Sequence, residues 1–305
     1  MNRIAILVPS YNRPDILSFT IRTWLEAVGV DTAIIVADAT SNEGVRRYEE
    51  LFNKLEKRYP HIHLIYDLKK ARRGSVNARN LLLKLALETE AQHLFMGDDD
   101  LILPNSRFLY KMSRYIDKDQ SIGMVSGRVI ALKRQHIDPD FYFNISGLRL
   151  ADALTKVLGY VFLDVINGPR YAEFLPAYYM MSKDVAQKVR FDTLFDTPTA
   201  FREESDVQNQ VKSLGYRLVL DPQIYFIHLA VEYGGNRSLI IMKERIYWKV
   251  RGHTAFIMKY EKSDVKKIWY SLAATLLLAT YRPWHIVSIA KGLKEGFKTI
   301  SKQTP

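Results

Sequence analysis

The chain has 305 residues, about twice a typical domain, so it holds either one large domain with an appendage or two domains. Its apolar fraction of 48% and charged fraction of 25% suit a chain that builds its own core, and the lack of any cysteine excludes disulfide frameworks, thiolate metal sites and cysteine nucleophiles. The net charge of +11 is concentrated at one end: residues 236–305 carry 14 Lys or Arg against 4 Asp or Glu, which implies an anionic partner, nucleic acid or an acidic lipid surface.

Residues 4–9 form a short continuous apolar run, the pattern of a buried parallel strand. It is too short for a signal peptide, and no stretch reaches the roughly 18 apolar residues of a spanning helix. Asp15 to Val28 has helical spacing, with Ile16, Leu17, Ile21, Leu25 and Val28 on one stripe. Ala33 to Ala37 is a second strand ended by Asp38, Glu43 to Tyr59 a helix, and Ile62 to Tyr66 a third strand. Ser75 to Leu87 is a helix, and His93 to Met96 a strand running into Gly97-Asp98-Asp99-Asp100. Strands alternating with helices predict a parallel α/β sheet, and such sheets bind ligands at the carboxyl ends of their strands.

Beyond Asn105 the pattern loosens. A helix from Ser106 to Ile116 and a strand from Gly123 to Leu132 precede a poorly patterned stretch, residues 134–170. A strand follows at Ala177 to Met181, then a helix from Lys183, a helix from Glu203 to Leu214 stopped by Gly215, and strands at Arg217 to Leu220 and Gln223 to His228. After Gly234-Gly235 the chain becomes helical, basic and aromatic. Three units are therefore expected, residues 1–104, 105–235 and 236–305.

Six places could carry chemistry. The loop Pro9-Ser10-Tyr11-Asn12-Arg13-Pro14 follows the first strand. It has no glycine, which argues against a dinucleotide loop, but it offers a ring for base stacking and an arginine for phosphate. Asp38 at the second strand's tip can accept from a base N–H or a ribose, or cap a turn. Arg72-Arg73-Gly74-Ser75 with Arg79 opens a helix whose N-terminus favours anions. Asp98-Asp99-Asp100 repel one another at a buried strand end, a conflict that a hard divalent cation resolves. Glu203, Glu204 and Asp206 open a helix, where acids either cap it or supply a general base. His228 ends an apolar strand, as a structural histidine or a metal ligand.

Taken in order, these elements resemble family 2 glycosyltransferases of the GT-A fold, over about residues 1–260. The resemblance rests on Pro9-Ser10-Tyr11-Asn12-Arg13-Pro14, strand-Asp38, Gly74 to Asn80, Asp98-Asp99-Asp100 and Glu203-Glu204-Ser205-Asp206. It continues through Gly215 to Pro222 and on to His228, with Leu175 to Met181 at the family's acceptor-side strand. Arg245 to Gly252 with Lys259-Tyr260 is similar to the family's arginine-aromatic helix.

The resemblance implies an α/β Rossmann-like, mostly parallel sheet flanked by helices, with a C-terminal helical extension. It further implies that Pro9, Tyr11 and Arg13 line a nucleoside pocket, that Asp38 contacts the base, and that Arg73 and Arg79 lie near the donor. Asp98, Asp99 and Asp100 match the family's Asp-x-Asp region, with Asp99 and Asp100 taking ribose and metal and His228 a further ligand of Mn²⁺ or Mg²⁺. Glu204 matches the base position, with Glu203 and Asp206 beside it. Three departures stand out. Gly97 replaces the first aspartate of many members, which leaves open which aspartate binds metal. Glu203-Glu204 replaces Glu-Asp, which leaves either glutamate as the base. Arg251-Gly252 replaces Arg-Asn.

The implied activity is inverting transfer from a nucleoside diphosphate sugar, UDP-sugar favoured over GDP or dTDP, to a glycan or lipid-linked acceptor, by a monomer or an oligomer. Apolar runs at Lys266 to Tyr281 and Ile286 to Phe297, flanked by Lys, Arg, Trp and Tyr, suit helices lying in a membrane interface. That places the protein at the cytoplasmic, inner face of the cell membrane, unless the two helices pack on the domain or form a dimer. The rival readings are a sugar-phosphate nucleotidyltransferase, which would want a glycine-rich loop near the N-terminus, a nucleic-acid-binding protein, for which the tail carries no recognisable motif, and an inactive donor-binding relative.

Overall fold

The computed structural model describes residues 3–132, 151–159, 168–229, 235 and 241–301. β1 (Ile4–Tyr11), α1 (Pro14–Leu25), β2 (Val30–Asp38), α2 (Asn42–Arg58), β3 (His63–Lys69), α3 (Ser75–Leu87) and β4 (His93–Met96) follow the expected alternation. Pro14 opens α1, where its missing N–H costs nothing, and the Ser41 hydroxyl caps α2 by accepting from the Gly44 N–H at 3.0 Å.

β5 (Leu101–Ile102), α4 (Phe108–Lys118), β6 (Ile122–Ala131), α5 (Ala151–Leu158), β7 (Arg170–Tyr171), β8 (Tyr179–Ser182) and the one-turn α6 (Lys183–Ala186) come next. Then come α7 (Glu203–Ser213) and β9 (Arg217–His228). The poorly patterned stretch, residues 134–170, falls mostly outside the described residues, apart from 151–159 and 168–170.

One sheet runs in the order β3-β2-β1-β4-β8-β6-β9-β5, with β7 paired to β9. β3, β2, β1 and β4 are parallel, as expected from the βα alternation, while β8 is antiparallel to both β4 and β6. Two reversals restore direction, so β6 and β9 point the same way as β1. The carboxyl ends of β1, β2, β4 and β9 therefore share one rim, which holds Tyr11, Asp38, the three aspartates and His228. The two strands expected over 217–228 are a single bent strand. Pro222 interrupts its ladder: residues 222–224 of β9 bulge out between the Gly127–Asp221 and Arg128–Tyr225 pairs, and a Cβ at Gly127 would fall 2.4 Å from the Ile224 carbonyl oxygen.

Both faces of the sheet are covered, which explains the continuous apolar runs. Along β1, Ile4, Ile6 and Val8 face the α1, α2 and α4 side, and Ala5 and Leu7 face α3. Trp24 of α1 packs on Phe95 and Phe226 and donates its indole N–H to the Leu101 carbonyl at 2.8 Å, fixing the chain that follows the aspartates.

The C-terminal part forms α8 (Met242–Tyr260), α9 (Asp264–Tyr281) and α10 (Ile286–Ser301). α10 packs closely on α8 because Ser288, Gly292 and Gly296 lie on one stripe. A Cβ at Gly292 would sit 2.6 Å from the Tyr247 carbonyl, and one at Gly296 2.5 Å from Thr254. α8 in turn packs on the body: Phe256 meets Phe195 and Phe174, and Lys259 and Tyr260 reach Asp206 of α7. Among the described residues no helix is long and apolar enough to cross a membrane.

Candidate active site

A cavity of about 220 Å³ opens at the shared rim. Pro9, Tyr11, Arg13, Asp38, Arg79, Asp98, Asp99, Asp100, Glu203, Glu204 and His228 all line it, so residues from across the sequence converge on one place. Arg73 and Asp206 do not.

At the β2 end of the cavity, the Asp38 carboxylate accepts from the Arg73 backbone N–H at 2.7 Å and from Arg73 Nε at 2.6 Å, while Arg73 Nη2 lies 2.6 Å from Asp67. Arg73 thus fixes Asp38, and its neighbour Arg72 lines the cavity, with its guanidinium 5.9 Å from the centre of the Tyr11 ring. Gly74 starts α3 at φ +90 and ψ 155, a conformation essentially reserved for glycine, and a Cβ there would fall 2.6 Å from the Asp196 carboxylate. That turn places Gly74, Ser75, Ala78 and Arg79 on the cavity wall.

The three aspartates diverge. Asp98 accepts from Arg79 Nη2 at 3.1 Å. Asp99 accepts from Ser10 at 2.7 Å and from Arg13 Nη1 at 3.0 Å. Asp100 meets the same Arg13 nitrogen at 3.0 Å and lies 3.3 Å from His228 Nε2. The charge conflict read from the sequence is thus relieved partly by two buried arginines, and so does not by itself require a cation. Burial pushes the Asp99 carboxyl up to about 7 against the pull of Arg13, and burial likewise raises Asp98 despite Arg79. Six carboxyl groups, those of Asp38, Asp98, Asp99, Asp100, Glu203 and Glu204, line the cavity with Arg13, Arg72 and Arg79. Among the described residues no group of three or more acidic or histidine side chains is arranged to hold a metal ion. The Asp100 and His228 pair nonetheless has the donor chemistry of a divalent-cation site.

At the other end, Glu203 and Glu204 open α7. Glu203 is 1% exposed, and burial followed by the charge of Glu204 holds its pKa well above the usual range. The Glu204 side chain is 18% exposed and pairs with Arg79 at 3.2 Å. Burial raises its pKa too, with Arg79 opposing. Arg79 Nε and Nη1, Glu203 Oε2 and the Tyr179 hydroxyl are buried here without a hydrogen-bond partner among the described residues. Such a cluster is the kind of polar surplus that functional sites carry.

The loop before α7 is strained: Ala200 has φ +46 and Arg202 φ +79. Arg202 is held from three sides. It donates to the Gly159 carbonyl at 3.2 Å, lies over the Phe256 ring at 4.8 Å, and has Nη2 2.6 Å from His253 Nδ1. Arginine only donates, so Nδ1 accepts and the His253 proton sits on Nε2, facing the Tyr270 carbonyl at 3.3 Å. Burial, then the Arg202 charge, keeps the His253 pKa well below its ordinary value. Asp206, one turn into α7, is fully buried between Lys259 Nζ and the Tyr260 hydroxyl, each at 2.6 Å.

Sequence reasoning passed over several wall residues. Ser10 stood inside a quoted motif, and Tyr178, whose ring lies beside His228, inside the acceptor-side strand. Thr199 and Ala200 carried no signal. The Arg202–His253 contact joins residues 51 apart and had none either.

Residues 5–155, about half of the chain, match the model of the glycosyl transferase family 2 domain. Among solved structures, the chain is similar to a mannosyltransferase from Pyrobaculum calidifontis in complex with GDP-Man and Mn²⁺, with TM-score 0.58, 17% identity, and coverage of 95% of this chain and 73% of that one. It is also similar to S. aureus TarS residues 1–349 in complex with UDP, with TM-score 0.51, 12% identity, and coverage of 88% and 68%. Against the longer TarS structure the TM-score is 0.54 at 12% identity, with 88% of this chain matched but only 41% of that one. No curated protein matches by sequence. The family match covers β1 through the aspartates, and the solved structures share the fold; the chain belongs to glycosyl transferase family 2 and is a glycosyltransferase of the GT-A fold.

Proposed function

We propose that the protein transfers a sugar, with inversion, from a nucleoside diphosphate sugar to a hydroxyl of a glycan or lipid-linked acceptor, working peripherally at the inner face of a membrane. The observation that carries this reading is the position of Arg79, which pairs with Asp98 on the donor side and with Glu204 on the α7 side of one cavity. The acceptor oxygen attacks the anomeric carbon as that carbon's bond to the diphosphate oxygen breaks. Glu204 takes the hydroxyl proton, and the nucleoside diphosphate leaves.

Glu204 suits the base role better than Glu203, because it is the more accessible and has a cation to hold it ionised. Asp206 serves packing in this reading, since Lys259 and Tyr260 enclose it. Tyr11 and Arg72 receive the nucleoside and its phosphates, with Asp38 fixed by Arg73 to meet the base. Asp100 and His228 would hold Mn²⁺ or Mg²⁺, which when bound supplies positive charge to the leaving diphosphate. The gathering of carboxyl groups beside Asp100 and His228 supports a cation there.

The donor is tested by thermal stabilisation with UDP-, GDP- and dTDP-sugars, with and without Mn²⁺. Manganese-dependent stabilisation by one of them, with release of nucleoside diphosphate on turnover, is the expected result. Release of pyrophosphate would instead identify a nucleotidyltransferase.

A further inference from the structure

We propose that one face of α9, extended by α5 and by the turn before α10, is a docking surface for an anionic lipid bilayer. This rests on the peripheral-membrane part of the reading above and assigns it to particular residues. Val265, Ile268, Trp269, Leu272 and Leu276 follow helical spacing along one side of α9, and all are between 41% and 78% exposed. The other side carries buried Ser271, Ala273 and Ala274 and faces the protein. The stripe continues onto α5, because Trp269 Nε1 donates to the Val157 carbonyl and the Tyr270 hydroxyl to the Lys156 carbonyl, both at 2.7 Å. That leaves Val157, itself exposed, beside the Trp269 ring. After α9, Trp284, Ile286 and Val287 are exposed in turn. Isolated surface apolar residues need no explanation, but a row of five along one helix face, Trp269 among them, does.

Charge selects the occupant. From Lys262 to Ser301 there are seven Lys or Arg against two acids, and Lys291, Lys294 and Lys298 are exposed at helical spacing along α10. A second copy docking about a two-fold axis would bring one basic margin towards the other. An anionic headgroup layer complements both features, with apolar side chains and tryptophans below the headgroups and lysines among them. No described helix is long and apolar enough to cross a bilayer, which fits helices lying in its surface. Gly159, at the end of α5, accepts from Arg202, the residue that precedes the two glutamates. Docking would therefore seat the bilayer against the same unit that braces the base, as suits an acceptor hydroxyl borne by a lipid headgroup.

The test is flotation of the full chain with vesicles of phosphatidylcholine alone and of phosphatidylcholine mixed with phosphatidylglycerol. The protein is expected to float only with the anionic vesicles and to detach as salt is raised. Leu272→Gln with Leu276→Gln, residues remote from the cavity, should lower the partition at least about tenfold. Its melting temperature and its stabilisation by donor should stay those of the wild type, which shows that the variant is folded. The proposal falls if the wild type stays at the bottom with anionic vesicles, if the folded variant floats equally well, or if the protein is a dimer that the two substitutions split. Flotation without any response to sugar nucleotides would leave the docking surface standing and count against the proposed reaction.

Discussion

The guanidinium of Arg79 lies 3.2 Å from the Glu204 carboxylate, and the same nitrogen donates to Asp98 at 3.1 Å. Arg79 is 4% exposed, so one buried cation ties the strand end that carries the aspartates to the helix that carries the glutamates. Replacing it should disturb charge on both sides at once.

Arg79→Gln is predicted to lower kcat about a hundredfold or more. A base works only when ionised, and loss of the neighbouring cation raises its pKa. The acid limb of the pH–rate profile should therefore move to higher pH. Initial rates across pH check both parts, and an unmoved limb would argue that Glu204 is not the titrating group.

The acids at the start of α7 should separate by phenotype. Asp206→Ala removes the shared partner of Lys259 and Tyr260 and should cost about 3 kcal/mol, the low end for breaking a buried pair, because Asp192 still holds Lys259 at 2.7 Å. Glu204→Gln should leave the melting temperature near that of the wild type. Denaturant unfolding of the two variants makes the comparison.

Gly74→Ala is predicted to destabilise by about 1–3 kcal/mol, since alanine is poorly accommodated at φ +90 and its Cβ would meet the Asp196 carboxylate. The start of α3 would shift, and stabilisation by donor nucleotide should shrink with it. Thermal melts with and without nucleotide measure both.

The parallel half of the fold was legible because its strands are short, wholly apolar and separated by periodic helices, and because Asp38 and the aspartates end strands. Strand polarity then brings these ends together, a consequence of topology that no local pattern states. The sequence suggests two strands where β9 is one, because Pro222 breaks the pattern locally; the ladder to β6 resumes past the 222–224 bulge, which Gly127 of the neighbouring strand leaves room for. Arg13 was read as a phosphate ligand. Its contacts with Asp99 and Asp100 span more than 80 residues, and spacing alone does not reveal such a pairing. The basic C-terminal helices were separated from the body by composition, yet His253, Phe256, Lys259 and Tyr260 make α8 a brace for α7.

His253 predicts a pH dependence of stability. Its pKa in the folded protein is held well below its ordinary value, first by burial and then by Arg202. As pH falls below the unfolded value of about 6.5, the unfolded chain takes up a proton that the folded protein refuses, so stability is lost on acidification. Between pH 7.5 and 5 (on the order of the range in which histidine titrates), the wild type should lose more stability than His253→Gln. Buried Asp99 works the other way over part of this window, so the difference between the two proteins is the informative quantity.

The central claim is that Glu204 removes the proton of the acceptor hydroxyl within a donor-binding cavity. Its most direct test is the single-turnover rate of Glu204→Gln with saturating donor, beside the wild type. A fall of about 10²–10⁴-fold with donor affinity unchanged is the predicted result. A rate within a few-fold of the wild type, in a variant that still binds donor, would contradict it.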